Sequence, residues 1–186
     1  MFRWISYFFN HLFNSGKGFC IGPPASGKTT LVNFIHNKKL IESHIPTNQA
    51  TEVGKMLELG GDETFVKNHW EKLMNDNKYK YVVYVFSTAD YIENYIIDAD
   101  NQKTYQKIVY LHLYFLKNIN KAKKKIIIVG THVDKLPNEK ETIQKISKDL
   151  NNIIDVTLTK IFFGSFKDID DAKIIASDVE KTTSNI

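Results

Sequence analysis

Arginine and cysteine are almost missing from this chain. Cys20 is the single cysteine, so no disulfide can form within the chain, as is usual for proteins of a reducing compartment. Arg3 is the single arginine among 25 basic residues. The densest group of lysines, within 121–125, is not interleaved with aromatic residues and directly precedes an apolar run, so we expect a solvated strand end there. We therefore expect neither a disulfide framework nor a nucleic-acid partner.

Internal repeats, low-complexity tracts and linkers are also absent from the sequence, which predicts one folded domain. With 186 residues, of which 42% are hydrophobic, the chain can bury one good core. Apolar runs typical of buried strands alternate with apolar residues at helical spacing, which predicts an α/β protein with a mostly parallel sheet of five or six strands between helices. We expect residues 1–16 to be an extension and 17–186 to be the domain. The strands are predicted at 18–21, 81–86, 126–129 and 160–163, with a short hairpin within 50–61, and the helices at 29–35, 63–73, 105–119, 138–150 and 170–181.

Residues 22–29 match the phosphate-loop pattern G-x-x-x-x-G-K-[ST] at every position. In this pattern backbone N–H groups surround a β-phosphate, the lysine (here Lys28) reaches the β- and γ-oxygens, and the last hydroxyl (here Thr29) ligates a Mg²⁺ that bridges the same phosphates. An apolar strand precedes the loop and a helix follows it, so the anion would lie at a helix N-terminus. The pattern predicts binding of a nucleoside di- or triphosphate with Mg²⁺.

Two later loops indicate which base is bound. Residues 131–134 follow the predicted strand at 126–129, and residues 165–167 follow the strand at 160–163. The carboxyl ends of parallel strands meet at one edge of a sheet, so both loops should converge on the same nucleotide. The carboxylate of Asp134 can accept hydrogen bonds from guanine N1–H and N2–H₂, which adenine lacks, and the backbone of Ser165 and Phe166 can donate to guanine O6. The two loops therefore favour guanine.

These residues resemble those of the Ras-superfamily small GTPases, and in particular the ADP-ribosylation-factor-like (Arf-like) branch. Thr-His-Val-Asp at 131–134 is similar to the base motif [NT]-K-x-D, in a form that also resembles Roc domains, and Ser-Phe-Lys at 165–167 is similar to S-A-K. Ile-Pro-Thr at 45–47 resembles switch I of that branch, Glu-Leu-Gly-Gly at 58–61 stands where the family has D-x-G-G, and Trp70 follows at nearly the family's spacing. The resemblance implies a three-layer, Ras-like P-loop fold that cycles between GTP and GDP states.

The resemblance and the loops together assign roles to individual residues. Lys28 and Asp62 are the catalytic candidates, and Thr29 and Thr47 are the expected Mg²⁺ ligands, with Thr51 a rival to Thr47. His132 replaces the lysine whose stem packs over the base in the family, and its imidazole can stack there instead. The residues expected to bind nucleotide are Gly22, Pro24, Ala25, Ser26, Gly27, Lys28, Thr29, Thr30, Gly61, Thr131, His132, Asp134, Ser165, Phe166 and Lys167.

Departures from the family pattern predict slow GTP hydrolysis. Glu58 replaces the aspartate that holds the Mg²⁺ shell through water, and its extra methylene is expected to displace that water or weaken the metal. Asp62 stands in place of the water-orienting glutamine; a carboxylate cannot donate a hydrogen bond towards the γ-phosphate, and its charge opposes the charge that develops there. The prolines at 23–24 stiffen the loop beside the γ-phosphate. Because Arg3 is poorly placed to act as an arginine finger, fast turnover would need a partner such as a GTPase-activating protein.

Aromatic residues are concentrated at the start of the chain and predict an amphipathic helix, a hallmark of the branch that the chain resembles. Thirteen residues rise only about 20 Å, too little to span a bilayer, and the segment lacks the pattern of a signal peptide. Neither end of the sequence carries a lipidation motif. We expect a cytoplasmic protein, peripheral on the cytosolic face of a membrane through residues 2–13, with packing of this helix on its own domain or a partner as the alternative. The apolar face consists of Phe2, Ile5, Phe9, Leu12 and Phe13.

Two other function classes are compatible with the phosphate loop. An ATP-using P-loop kinase shares the loop sequence, but it needs an arginine-rich lid and an acceptor site, for which the sequence offers no candidates. A non-hydrolysing scaffold or receptor-type subunit that binds nucleotide for stability would tolerate Glu58 and Asp62. Base preference distinguishes the first class from a regulatory GTPase, and a difference in shape between the GTP and GDP states distinguishes the second. The Tyr110, His112 and Tyr114 series is predicted to be packing on a helix, not part of a site.

Overall fold

The computed structural model of the protein describes residues 16–40, 50–59 and 69–184. The predicted N-terminal helix, Thr47, Gly61 and Asp62 lie outside these residues. Within them the strands are β1 Lys17–Ile21, β2 Thr51–Val53, β3 Met56–Glu58, β4 Tyr79–Ser87, β5 Ile96–Asp98, β6 Lys103–Thr104, β7 Lys125–Thr131 and β8 Thr159–Phe163. The helices are α1 Lys28–Asn37, α2 Glu71–Asn75, α3 Thr88–Glu93, α4 Tyr105–Ile119, α5 Glu139–Asn151 and α6 Ile169–Thr183.

Six of these strands form one sheet in the order β2-β3-β1-β4-β7-β8. All neighbours in this sheet are parallel except β2 and β3, which form the predicted short hairpin around Gly54 and Lys55. The mostly parallel six-stranded sheet is thus confirmed. Because every parallel strand runs in the same direction, the loops after β1, β4, β7 and β8 all leave the sheet at one edge.

The core lies on both faces of this sheet. In β4, Val82 and Tyr84 belong to the core on one side, whereas Val83 and Val85 belong to the core on the other. A strand that is buried on both faces reads as a continuous apolar run, which is why β4 could be recognised in the sequence. Helices α4 and α5 cover the first side, and α1 and α6 cover the second, so the protein has three layers.

Side-chain caps explain where three of the helices begin. The hydroxyl of Ser87 accepts from the backbone N–H of Asp90 at the start of α3, and the hydroxyl of Thr104 accepts from that of Lys107 at the start of α4. The carboxylate of Asp168 accepts from two backbone N–H groups in the first turn of α6. Such caps satisfy donors that the first helical turn leaves unpaired.

The lysines within 121–125 are not all solvated, so that expectation is wrong for Lys124. Its side chain is buried, and its Nζ donates to the carbonyl oxygen of Asp76 (2.7 Å) and to that of Tyr79. A buried ammonium is tolerated when it donates hydrogen bonds, and here the two acceptors are backbone carbonyls. Lys124 therefore connects the start of β7 to the turn before β4.

The aromatic series on α4 is divided between core and surface. His112 is buried, with Trp70 5.0 Å away between ring centroids and the hydroxyl of Tyr84 3.3 Å from its Nδ1, as the packing prediction requires. Tyr110 and Tyr114, by contrast, are about half exposed, and their rings pack on each other at the surface of the helix.

Three short elements lie outside the sequence predictions. The patterns do not predict α3 or the small hairpin formed by β5 and β6 between α3 and α4. Of the predicted helix at 63–73, the described part continues into α2, which ends at Asn75. Within the described ranges, no helix has both the length and the apolar character needed to cross a bilayer.

Candidate nucleotide-binding site

The loop between β1 and α1 has a backbone that requires glycine at its start. Gly22 has φ of 147°, and a Cβ atom added there would lie 1.9 Å from the carbonyl oxygen of Val85. Gly27, directly before α1, has φ of 88°, a conformation that L residues seldom adopt. Between them, Pro24 and Ala25 are exposed at the tip of the loop. The glycines thus hold the phosphate-loop backbone in a shape that curls around the N-terminus of α1.

Lys28 is folded back over this loop. Its Nζ donates to the carbonyl oxygens of Gly22 (3.0 Å) and Pro23 (2.6 Å) and lies 3.5 Å from the hydroxyl of Ser26. The side chain is buried, and burial lowers the pKa of its ammonium group. All three partners are neutral oxygen atoms, so the cation still has charge available for an anion held by the loop.

Thr29 and Glu58 bring two hard oxygen donors together beside the loop. The hydroxyl of Thr29 donates a short hydrogen bond to Oε1 of Glu58, whose side chain is buried at the end of β3. Glu58 is paired in register with Cys20 of β1, and burial raises the pKa of that thiol. A hydroxyl and a carboxylate are ligands that Mg²⁺ accepts, so these residues fit the metal that the phosphate-loop pattern implies. The longer side chain of glutamate allows Glu58 to reach the hydroxyl directly.

The loop at 131–134 is bonded to the phosphate loop. The hydroxyl of Thr131 donates to the carbonyl oxygen of Ser26 (2.8 Å) and lies 3.2 Å from that of Phe86 at the end of β4. His132 follows in the left-handed conformation, with φ of 58°, and its Nδ1 lies 3.0 Å from the Thr131 hydroxyl. Burial, followed by the nearby Lys135, lowers the pKa of His132, which favours the neutral imidazole. A neutral ring suits stacking on a base.

The loop at 165–167 meets the same place from the neighbouring strand. The hydroxyl of Ser165 donates to Oδ1 of Asp134 (2.7 Å) and accepts from the backbone N–H of Lys167 (2.9 Å). The backbone N–H of Gly164 donates to the carbonyl oxygen of Gly130 (3.0 Å), which fixes the two loops side by side. Asp134 is itself exposed, so its carboxylate is oriented by Ser165 but accessible to a ligand.

Phe166 connects this loop to the helices on one side of the sheet. Its ring lies close to Gly27, where an added Cβ atom would come within 3.5 Å of it, and it packs against the buried residues Phe34, Ala172 and Ala176. The structure thus brings together all the predicted site residues that it describes: the phosphate loop with Thr29 and Thr30 at the start of α1, Thr131 to Asp134, and Ser165 to Lys167. Thr51, the rival metal ligand, lies in β2, in register with Glu58.

Thr88 supports the site, although none of the sequence predictions gave it a role. Thr88, the first residue of α3, donates from its hydroxyl to the carbonyl oxygen of Thr131 (2.6 Å) and is fully buried. A signal was present in the sequence, because Ser-Thr-Ala-Asp at 87–90 directly after a strand has the [ST]-x-x-[DE] spacing of a helix start. That start lies at the same edge of the sheet as the other three loops.

Comparison with known proteins connects this arrangement to a known fold. Neither a protein-family model nor a curated protein matches the sequence. A solved structure, the Arl6 (BBS3) small GTPase from Trypanosoma brucei with the bound nucleotide analogue GppNp, is similar with a TM-score of 0.54 and 15% sequence identity, over 90% of this chain and 98% of that chain. Identity of this size is evidence for shared architecture and for nothing finer. The chain therefore has the three-layer α/β P-loop fold of that structure.

Proposed function

We propose that this protein is a small GTP-binding protein that acts as a regulatory switch and binds GTP and GDP together with Mg²⁺. The observation that carries the proposal is the pair of hydrogen bonds that join three loops into one site: Thr131 to Ser26, and Ser165 to Asp134. The first bond sets the distance between the phosphate and base ends of the site. The second orients the carboxylate that would distinguish guanine from adenine. The similar trypanosomal structure, which holds a GTP analogue, supports the same assignment.

Different residues of the site would bind different parts of the nucleotide and its metal. Backbone N–H groups of residues 25–29 would surround the β-phosphate, and Lys28 would neutralise the β- and γ-oxygens. Thr29, with Glu58 beside it, would hold Mg²⁺, which when bound neutralises charge on the phosphates. Asp134 would accept two hydrogen bonds from guanine, while the neutral ring of His132 would cover the base.

We further propose that hydrolysis is slow and that a partner accelerates it. Asp62 would replace the water-orienting glutamine, and a finger supplied by a GTPase-activating protein would contribute on the order of 10³- to 10⁵-fold. Single-turnover hydrolysis measured with wild type and Asp62→Ala should be slow in both. A fast intrinsic rate that Asp62→Ala abolishes would contradict this part of the proposal, whereas the complete absence of hydrolysis with intact binding would favour a nucleotide-binding scaffold.

Contact of residues 2–13 with a membrane surface belongs to the same proposal. Aromatic anchors on one helical face suit the boundary between headgroups and acyl chains. The GTP-loaded protein should therefore sediment with anionic liposomes, and replacing Phe9 and Phe13 with serine should abolish sedimentation. If wild type does not sediment, or if the variant with both serines still sediments, residues 2–13 would be assigned to packing on protein.

Base selectivity provides the central test. GTP, GDP and ATP would compete against a fluorescent guanine nucleotide for wild type, Asp134→Asn and the control Asp100→Asn, which changes an exposed aspartate outside the three loops. We expect guanine selectivity of wild type and of the control to exceed that of Asp134→Asn by a factor on the order of 10² or more, since adenine would leave the Asp134 carboxylate without the two donors that guanine supplies. Equal binding of ATP by wild type would return the kinase hypothesis to consideration.

A further inference from the structure

The hairpin of β5 and β6 stands apart from the main sheet but is firmly attached at its base. The backbone N–H of Tyr105 donates to the carbonyl oxygen of Tyr95 (3.1 Å). Gln106 donates from its backbone to Oδ1 of Asn94 (3.0 Å) and from its side chain to the carbonyl oxygen of Tyr91 (2.7 Å). These bonds connect the end of α3 to the start of α4, so the hairpin has a fixed position on the domain.

The tip of the hairpin is equally well defined. Both carboxylate oxygens of Asp98 accept hydrogen bonds from Asn101, one from its backbone N–H (3.2 Å) and one from its side chain (2.8 Å). These bonds lower the pKa of Asp98. Gln102 adopts the left-handed conformation that closes the turn, with φ of 49°. The hairpin is therefore an ordered element built by its own hydrogen bonds.

This ordered element exposes three large apolar side chains. Tyr95, Ile96 and Ile97 are 46%, 62% and 44% exposed. Successive residues of a strand point to opposite faces, so each face of the hairpin presents an isoleucine. A two-stranded hairpin is marginally stable alone and gains nothing from apolar residues that stay in water. Apolar side chains gathered on a fixed, protruding element are typical of a protein-binding surface.

The charge around these side chains is negative. Residues 90–103 contain four carboxylates, of Asp90, Glu93, Asp98 and Asp100, against one lysine, Lys103, which lies in β6 in register with Asp98, although the whole chain has a net charge of +4. Burial, with the carboxylates of Asp90 and Glu93, raises the pKa of Tyr95. A ligand for this surface would thus need apolar side chains and positive charge.

We propose that the hairpin surface, made of Tyr95, Ile96 and Ile97 with the carboxylates of Glu93 and Asp100, docks a basic, amphipathic segment of a partner protein. Charge complementarity favours this occupant over two others. A second copy of the chain, paired through the same surface, would bring like charges together, and an anionic membrane would be repelled. The proposal does not depend on the nucleotide, because none of these residues belongs to the three loops of the site.

A peptide-display selection on the purified full chain tests the proposal. The probe is a random twelve-residue library, and selected peptides are measured by fluorescence anisotropy against Ile96→Ser/Ile97→Ser and against the control Ile174→Ser, which changes an isoleucine 64% exposed on α6. We expect peptides rich in lysine or arginine and in apolar residues. Their affinity should fall at least about tenfold in the double variant, since two apolar side chains are lost, and stay unchanged in the control.

A charge variant and two association assays complete the test. Glu93→Lys/Asp100→Lys leaves the isoleucines and the Asp98 turn in place, and it should weaken the same peptides by roughly three- to tenfold at low salt and by less at high salt. If Ile96→Ser/Ile97→Ser shows no thermal unfolding transition, and so is not folded, the charge variant alone tests the proposal. Acidic peptides, peptides indifferent to both variants, or none at all would overturn the proposal. If wild type dimerises in sedimentation velocity and Ile96→Ser/Ile97→Ser does not, the occupant is a second copy of the chain and the proposal is overturned. If wild type binds anionic vesicles and the same variant does not, the occupant is a membrane and the proposal is likewise overturned.

Discussion

Ser165 should contribute to nucleotide affinity through Asp134 alone, and this can be measured. Its hydroxyl donates to Oδ1 of Asp134 (2.7 Å) and accepts from the backbone N–H of Lys167 (2.9 Å), and its side chain is buried. Ser165→Ala removes both bonds without introducing a larger group. The Asp134 carboxylate would then be free to leave the orientation in which it can accept from guanine.

The expected loss of nucleotide affinity follows from the role of the Ser165–Asp134 hydrogen bond in the free protein, where it orients the carboxylate. A hydrogen bond to a charged group contributes about 1.5–3 kcal/mol when buried, but Asp134 is exposed, so solvent screening reduces this. Fixing one side-chain rotamer before binding contributes about 0.5–1.5 kcal/mol. We therefore expect Ser165→Ala to weaken GDP binding by about 1–2 kcal/mol, which is roughly 5- to 30-fold.

A double-mutant cycle gives the decisive comparison. Dissociation constants for GDP would be measured by fluorescence for wild type, Ser165→Ala, Asp134→Ala and the double variant, with Ser177→Ala on α6 as the control. Because Ser165 acts by orienting Asp134, the serine change should have less than about a twofold effect once Asp134 is alanine. Additive losses would refute the reasoning, since they would mean that Ser165 acts on the nucleotide independently of the carboxylate.

Three further changes test the metal donors, the core and the loop. Glu58→Asp should no longer reach the hydroxyl of Thr29, so the Mg²⁺ concentration that half-maximally slows GDP release should rise by roughly tenfold, and Glu58→Gln, which lacks the charge, should raise it as well. Equal Mg²⁺ requirements in wild type and Glu58→Asp would argue against a role of Glu58 in holding the metal. Burial lowers the pKa of His112 to about 4, so as the pH falls below 6.5 the histidine is protonated in the unfolded state but not in the folded state. Urea unfolding should therefore show about 2 kcal/mol less stability from this group at pH 5 than at pH 7. His112→Gln should remove that difference. An undiminished pH dependence in the variant would assign it to other groups. Gly22→Ala forces a Cβ atom against the carbonyl oxygen of Val85 and should lower the free energy of unfolding by on the order of 3–5 kcal/mol in thermal or urea unfolding; a normal unfolding midpoint would show that the loop has another conformation.

The sequence predicted the large elements because their signals are local or periodic. The predicted helix 105–119 and α4 coincide, since apolar residues recur at helical spacing and Thr104 caps the first turn. The convergence of the three site loops followed from the rule that parallel strands end at one edge. Individual bonds across the site did not follow, because Thr29 and Glu58 are 29 residues apart and meet only through the pairing of β1 with β3.

Elements that depend on tertiary partners escaped prediction. The strands of the hairpin have three and two residues, too few for a period of two to be visible, and no Asn-Gly or Asp-Gly turn separates them. Lys124 looked like a surface lysine because its two acceptors are backbone carbonyls, which leave no trace in the sequence.

One residue joins the two ends of the candidate site mechanically. The hydroxyl of Thr131 is bonded to the phosphate loop at Ser26, and its carbonyl oxygen accepts from Thr88 at the start of α3. Displacement of the base loop therefore stretches a bond to the phosphate loop in the same motion. A nucleotide held in such a frame would be released at its base and its phosphates in one step, so that a partner pushing on either end would empty both.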